Sequence, residues 1–372
     1  MKILFYIHNL QIGGAEKIVA DYLVHLKNSE IDVALVVNNK VNSYLENEVT
    51  KNDIRIYELY KTSTNNGHFI FQRLLNRIKN IKLKFNRIVE FEKPDIIHIH
   101  TLIYKIYGIK FPVHRMVFTF HSDPERFLKT NPKKNSIALN KMSKKGLNFF
   151  ALTNYMKDKI ISIFSTKNVC VIPNGIDIER IKKSRYNREW LFVNYYIAKD
   201  AFVIMHIGRF DKVKNHERLL SIFAEIHKRN SNSYLLLIGG DANNRMEIIK
   251  NEAKKRGIAN NILFLGIRQD ATSILGCANC LILPSLSESF SLVSLEAQAL
   301  GIRSIVSDNV PSEVLCNSNC FSLSLFNGDD KWAELALSNS TGPNNKDLSC
   351  FDLKNVTKKL INMYERIIKG EY

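Results

Sequence analysis

The 372-residue chain lacks any run approaching the ~20 uninterrupted apolar residues that a membrane-spanning helix needs. Its first apolar stretch, residues 3–7, stops at His8-Asn9, too short for a secretory core. It reads as the first β-strand of a cytosolic protein. Cysteine is sparse and unpatterned: Cys170, Cys277, Cys280, Cys316, Cys320 and Cys350 fit a reducing compartment. Cys277 and Cys280 form a C-x-x-C, but no second pair repeats that spacing, and the motif runs into Leu281-Ile282-Leu283. There cysteine serves as a small buried apolar residue rather than a zinc or redox ligand. A complete G-x-G-x-x-G fingerprint is missing, which argues against a nicotinamide enzyme. Interleaved aromatic platforms and recognised nucleic-acid modules are missing too, so the strong positive charge does not indicate nucleic-acid binding.

What is present is a globular composition, 45% hydrophobic and 24% charged, at a length suited to two domains. The net charge of +17 is uneven. Residues 1–180 hold 28 bases and 16 acids, and the remainder 25 and 20, so the excess sits in the N-terminal half and predicts an anionic partner. Short apolar runs at residues 3–7, 33–37, 96–100, 116–120 and 149–153 read as strands separated by helical stretches. Val171-Ile172-Pro173-Asn174-Gly175-Ile176-Asp177 reads as a hinge, after which the pattern restarts with strands at 202–207, 233–238, 262–265, 280–283 and 304–306. The fold class is therefore α/β, with two Rossmann-like, doubly wound domains in series. Boundaries are expected at 1–172 and 173–355, with a last helix, 356–372, crossing back to the N-terminal domain. Residues 325–350 give no clear pattern. Residues 72–89 carry six bases and no acid, with Leu74, Leu75, Ile78, Ile81, Phe85 and Ile88 near one side of a helix. That pattern suits an anionic membrane surface, which the basic N-terminal half favours slightly over a surface helix packed on its own sheet.

Three clusters carry chemistry. Gly208-Arg209-Phe210-Asp211-Lys212-Val213-Lys214-Asn215 follows a strand, where open α/β sheets bind ligands, and Arg209 with Lys214 suits a diphosphate. After the strand ending at Leu283, a polar loop leads to a helix start near Ser289-Phe290-Ser291-Leu292, whose amides form an anion site. Glu288 precedes that start and Glu296 lies one to two turns inside it. Each is a carboxylate able to accept from paired sugar hydroxyls. Gly13-Gly14, after the first strand, permits close backbone approach at another helix start. His98 and His100 face one side of a strand without a third ligand, which argues against a metal site.

Together these segments resemble the family 4 glycosyltransferases, a group with the GT-B fold, over nearly the whole chain. The most specific match is Glu288 to Glu296, similar to the family's E-x7-E motif and continued by Ala297-Gln298-Ala299-Leu300-Gly301. Further similar pieces are Gly13-Gly14-Ala15-Glu16, Pro94-Asp95-Ile96-Ile97-His98-Ile99-His100, Ile172-Pro173-Asn174-Gly175-Ile176-Asp177, and Gly208-Arg209 with Lys214-Asn215. The resemblance implies two domains facing across a cleft and a nucleotide-sugar donor, UDP-linked, held without a metal or other cofactor. It assigns Arg209 and Lys214 to the diphosphate, Glu296 to the ribose and Glu288 to the transferred sugar. Ser289, Phe290, Ser291 and Leu292 fall at the phosphate-binding helix start, and Gly13 and Gly14 in a loop that closes on phosphate and acceptor. His121 falls where the family lines its site near the reacting carbon.

The resemblance further implies retaining transfer of a hexose or N-acetylhexosamine to a lipid-linked glycan, in bacterial O-antigen, lipopolysaccharide, capsule or exopolysaccharide synthesis. The enzyme would act as a peripheral protein on the inner face of the plasma membrane. A GT-B-fold UDP-sugar epimerase and a nucleic-acid-binding protein are the alternatives. Two departures stand out. Ser289 and Ser291 replace glycines common around the first Glu, and Ile302-Arg303-Ser304-Ile305 replaces the usual run after Gly301, expected to add a base near the site.

Overall fold

The computed structural model describes residues 1–60, 70–241, 243–343 and 346–371, with side chains from residue 80 onward in the helix Ile70–Glu92. The chain divides into two compact units. One is Met1–Gly175 with the C-terminal helix Leu353–Lys369, and the other is Ile176–Asp352.

In the first unit, β1 (Lys2–Ile7), β2 (Asp32–Val37), β3 (Arg55–Glu58), β4 (Ile96–Ile99), β5 (Met116–Thr119), β6 (Asn148–Ala151) and β7 (Val169–Val171) form a parallel sheet in the order β3-β2-β1-β4-β5-β6-β7. Its central strands are apolar at consecutive positions, and Ile3 to Ile7 are all buried. This is expected of parallel strands covered on both faces. In the second unit, β8 (Phe202–Ile207), β9 (Ser233–Ile238), β10 (Ile262–Gly266), β11 (Cys280–Leu283), β12 (Arg303–Ser307) and β13 (Cys320–Leu323) run parallel in the order β10-β9-β8-β11-β12-β13. Alternate residues feed two cores. Val203, Met205, Leu236 and Ile238 pack on one face, Ile204, Leu235 and Leu237 on the other. The strand order reverses between β1 and β4 in one sheet and between β8 and β11 in the other. In open α/β sheets ligands bind at such switch points, beyond the carboxyl ends of the strands.

The expected strands form, most of them within one residue of their expected ends. Three others form where no strand was expected. β3 places Arg55 and Glu58 at a sheet edge, so it has no apolar run. β7 has only three residues and merges with the presumed hinge. β13 is short and partly exposed. The unpatterned stretch 325–350 contains a helix, Asp329–Leu337, that buries Trp332, Ala333 and Ala336. The C-terminal helix buries Leu353, Val356, Leu360, Met363, Tyr364 and Ile367 along one stripe.

The basic segment 72–89 lies in the helix Ile70–Glu92. The side chains of Arg73, Leu74, Leu75, Arg77, Ile78 and Lys79 fall outside the described residues. Beyond them Ile81, Phe85 and Val89 are buried, and Phe85 meets the Tyr6 ring edge-on. This part of the stripe packs on its own sheet and is not available to a membrane. Among the described residues no helix is long and apolar enough to cross a membrane.

Candidate active site

At the switch point of the second sheet, the loops after β8, β11 and β12 are laced together. The Leu286 amide donates to the Val213 carbonyl at 2.8 Å, Asn215 Nδ2 to the Pro284 carbonyl at 3.0 Å, and Ser307 Oγ to the Ser285 carbonyl at 2.6 Å. The Glu288 amide reaches the Asn309 carbonyl at 3.3 Å. After β8 the chain makes one tight turn, Lys212–Lys214, capped by the Asp211 carboxylate, which accepts from the Lys214 amide at 3.1 Å. The lacing carries Lys214 to Glu288, 74 residues away in sequence. Lys214 Nζ lies 2.5 Å from Glu288 Oε1, which also accepts from Ser285 Oγ at 3.0 Å. A half-buried lysine and carboxylate thus stand side by side at the carboxyl edge of the sheet.

The helix Leu292–Ala299 starts directly after this carboxylate. Ser291 is its N-cap, with Oγ accepting from the Ser294 amide at 3.4 Å. Serine at this position therefore substitutes for glycine by capping the helix. Ser289 and Leu292 are partly buried beside it, and Phe290 packs its ring edge on Phe351. Glu296 lies inside the helix and is buried. Arg209, by contrast, has a side chain 80% exposed and only a loose ion pair to Asp211, at 3.7 Å. The structure gathers Lys214, Glu288 and the helix start into one locality and leaves the Arg209 guanidinium in solvent.

Close approach of the strand ends depends on glycine. A Cβ on Gly239 would overlap the carbonyl oxygen of Gly208, and one on Gly208 would press on the Lys214 stem and His206. Two histidines that sequence reasoning passed over lie beneath this loop. His206 Nδ1 donates to the Ile282 carbonyl at 2.8 Å, which leaves the lone pair on a buried, unpartnered Nε2. His216 stacks on Phe210, its ring 4.7 Å from that of His206. Burial holds both below the ordinary imidazole range, His216 down to about 4, so neither adds charge beside Lys214 at neutral pH. Their signal in the sequence was a histidine on each side of the Gly208–Lys214 loop.

Arg303 corrects an expectation. It opens β12 opposite Cys280, the first residue of β11, so it stands at the amino edge of the sheet, away from Glu288. Its guanidinium lies over the Phe321 ring and donates to the carbonyls of Leu335 and Ser340. Cys277 and Cys280 are free, buried thiols whose pKa values burial raises. Among the described residues no group of three or more His, Cys, Asp or Glu is placed to hold a metal.

In the first unit, Gly13 is the N-cap of the helix Gly14–Asn28, and the Glu16 carboxylate folds back over it, where a Cβ would collide. His121 lies just beyond β5. Its Nε2 is 2.8 Å from His100 Nδ1, and burial lowers its pKa to about 4. His98 spans Thr119 Oγ1 at 2.7 Å and Tyr364 Oη at 2.5 Å.

Two family descriptions match this chain: residues 12–180 match Glycosyltransferase Family 4, and residues 188–322 match Glycosyl transferases group 1. The chain belongs to the family 4 glycosyltransferases. The chain is 31% identical to EpsF of Bacillus subtilis over 169 residues, a match spanning 45% of the chain and 44% of that protein. It is 27% identical over 278 residues, 69% of the chain and 67% of the relative, to an Escherichia coli UDP-Gal:alpha-D-GlcNAc-diphosphoundecaprenol alpha-1,3-galactosyltransferase. In fold the chain matches Anabaena HepE, solved with UDP and glucose, at a TM-score of 0.74 and 16% identity, covering 98% of the chain and 99% of HepE. The architecture is GT-B, with two Rossmann-like parallel-sheet domains.

Proposed function

We propose that the glycosyltransferase moves a hexose or N-acetylhexosamine from a UDP-sugar, with retention, to a lipid-linked glycan in bacterial surface polysaccharide synthesis. The observation that carries the donor half is the Lys214–Glu288 pair at the switch point, with the helix start at Ser291 beside it and Glu296 buried within the helix. In this reading Lys214, Arg209 and the amides at Ser289, Phe290, Ser291 and Leu292 take the diphosphate, Glu296 the ribose and Glu288 the transferred sugar. As the bond between the anomeric carbon and the diphosphate oxygen breaks, negative charge grows on that oxygen. The lysine and the helix start stabilise it without a metal ion. The acceptor oxygen bonds to the same face of the anomeric carbon, and its proton passes to the departing phosphate oxygen. His121, with Gly13 and Gly14, serves the first unit's side of the reaction.

The acceptor reading is supported by the basic excess of residues 1–180 and by the diphosphate lipid named for the E. coli relative. A further support is the exposed set Arg126, Lys129, Lys133, Lys134, Lys141, Lys144 and Lys145, which has no acid between its members and displays Ile137. Such a face suits an anionic membrane surface. The test is calorimetry against UDP-, GDP-, ADP- and TDP-sugars in EDTA, followed by turnover of Lys214→Ala. We expect one UDP-sugar to bind and the variant to lose about 100-fold or more in kcat. Near-normal turnover of Lys214→Ala would refute the assignment. Complete recovery of the protein in the supernatant of anionic vesicles would remove the membrane part.

A further inference from the structure

His100 and His121 stand at the carboxyl ends of adjacent strands, β4 and β5, and β4 flanks the switch point of the first sheet. His100 is 8% exposed, with its ring stacked on Phe5 at 5.5 Å and lying 4.0 Å from that of His98. Its Nδ1 meets His121 Nε2 at 2.8 Å. The other two nitrogens of the pair, His100 Nε2 and His121 Nδ1, are buried and have no hydrogen-bond partner. Burial keeps both rings neutral at ordinary pH, so each carries one N–H.

One of those two hydrogens must fill the shared bond, and this fixes the outer pair of nitrogens. If His100 donates, its Nε2 is a lone pair and His121 Nδ1 carries hydrogen. If His121 donates, the assignments exchange. Either way the outer nitrogens are complementary, one donor and one acceptor. An anionic oxygen, which only accepts, could pair with just one of these two nitrogens, whereas hydroxyl groups, which accept and donate, can pair with each of them.

We infer that His100 is a positioning residue for His121, and that the shared hydrogen bond makes the two rings one recognition unit for sugar hydroxyls rather than for phosphate. The inference deepens the proposed reading of His121 and rests on it for the identity of the sugar. Hydroxyls of the donor sugar and of a glycan acceptor offer the same chemistry, so the probes must separate them.

The experiment is long-range proton–nitrogen NMR of histidine-labelled full-length protein, assigned with His100→Phe and His121→Phe. In the free protein, one outer nitrogen is expected in the protonated state and the other unprotonated. UDP-glucose or methyl α-D-glucopyranoside should move both outer resonances, and UDP alone should leave them in place. A response to UDP-glucose only marks the donor sugar, and a response to the methyl glycoside marks the acceptor. Two outer nitrogens in the same state, or an equal response to UDP alone, would overturn the inference. Kinetics add a second arm. His100→Phe fills the slot against Phe5 but removes the bond, and is expected to lower kcat about 10–100-fold with donor KM held within about threefold. His100→Asn keeps a polar atom near the position of Nδ1 and should restore most of kcat, whereas equal losses in both variants would mark a packing role and sink the idea. Absence of UDP binding in wild-type protein would count against the Lys214–Glu288 reading alone, because the free-protein spectra judge the histidine pair independently.

Discussion

Lowering the pH from 7 to 5 should destabilise the second unit through its buried histidines. His216 is 2% exposed and burial lowers its pKa from 6.5 to about 4. A folded pKa below the unfolded one means that, between pH 6.5 and about 4, the unfolded chain binds the proton and the folded chain does not. The stability from the neutral ring is complete above pH 6.5 and declines as the pH falls through that window. At pH 5 the unfolded ring favours protonation by about 30-fold and the folded ring by about one-tenth, which removes about 2 kcal/mol. His206, fully buried, moves in the same direction, while the lowered carboxylates Asp241 and Asp270 titrate below this window. Both tryptophans, Trp190 and Trp332, lie in this unit, so their fluorescence reports its unfolding. At a urea slope of about 2 kcal/mol per molar, the midpoint should fall by about 1 M or more between pH 7 and 5. His216→Phe, which keeps the stack on Phe210, should recover about 1 M of that fall. A midpoint that does not move with pH, or a fall of the same size in His216→Phe, would refute the reasoning.

Three further outcomes follow from the same geometry. Gly239→Ala should cost about 1–3 kcal/mol in the fluorescence-detected transition and weaken UDP binding, because the added methyl displaces the Gly208 carbonyl; unchanged stability would show that the strand ends can part freely. Glu296→Gln, nearly isosteric, should weaken UDP binding about 10-fold or more through loss of a charged acceptor, and unchanged calorimetric affinity would remove Glu296 from the ribose role. Arg303→Gln should leave donor affinity and turnover within about twofold, since its partners are carbonyls at the far edge of the sheet, and a larger kinetic loss would place it in the site.

Much of this architecture was legible in the sequence because its signals are local. A buried parallel strand needs a short β-branched or apolar run, and β8, β9 and β11 form over the residues where such runs occur. A helix start needs a cap, and Ser291 supplies one where the pattern changes after Leu283. The edge strands β3 and β13 gave no such signal, since both are only partly covered and need no continuous apolar sequence. The E-x7-E spacing fixed Glu288 and Glu296 relative to one helix before any tertiary contact was known.

What the sequence alone determined, then, was the alternation of strands and helices and the residues at each strand end. Tertiary structure decided which of those ends meet. Lys214 and Glu288 pair because β8 lies beside β11, and His100 meets His121 because β4 lies beside β5. The same strand pairing sends Arg303, only seven residues after Glu296, to the opposite edge, and folding buries Glu296 where an exposed helix position was equally compatible with its spacing. The physical reason is range. Periodicity and capping are settled within one element, whereas the neighbours of a strand are chosen by burial and hydrogen bonding across the whole sheet.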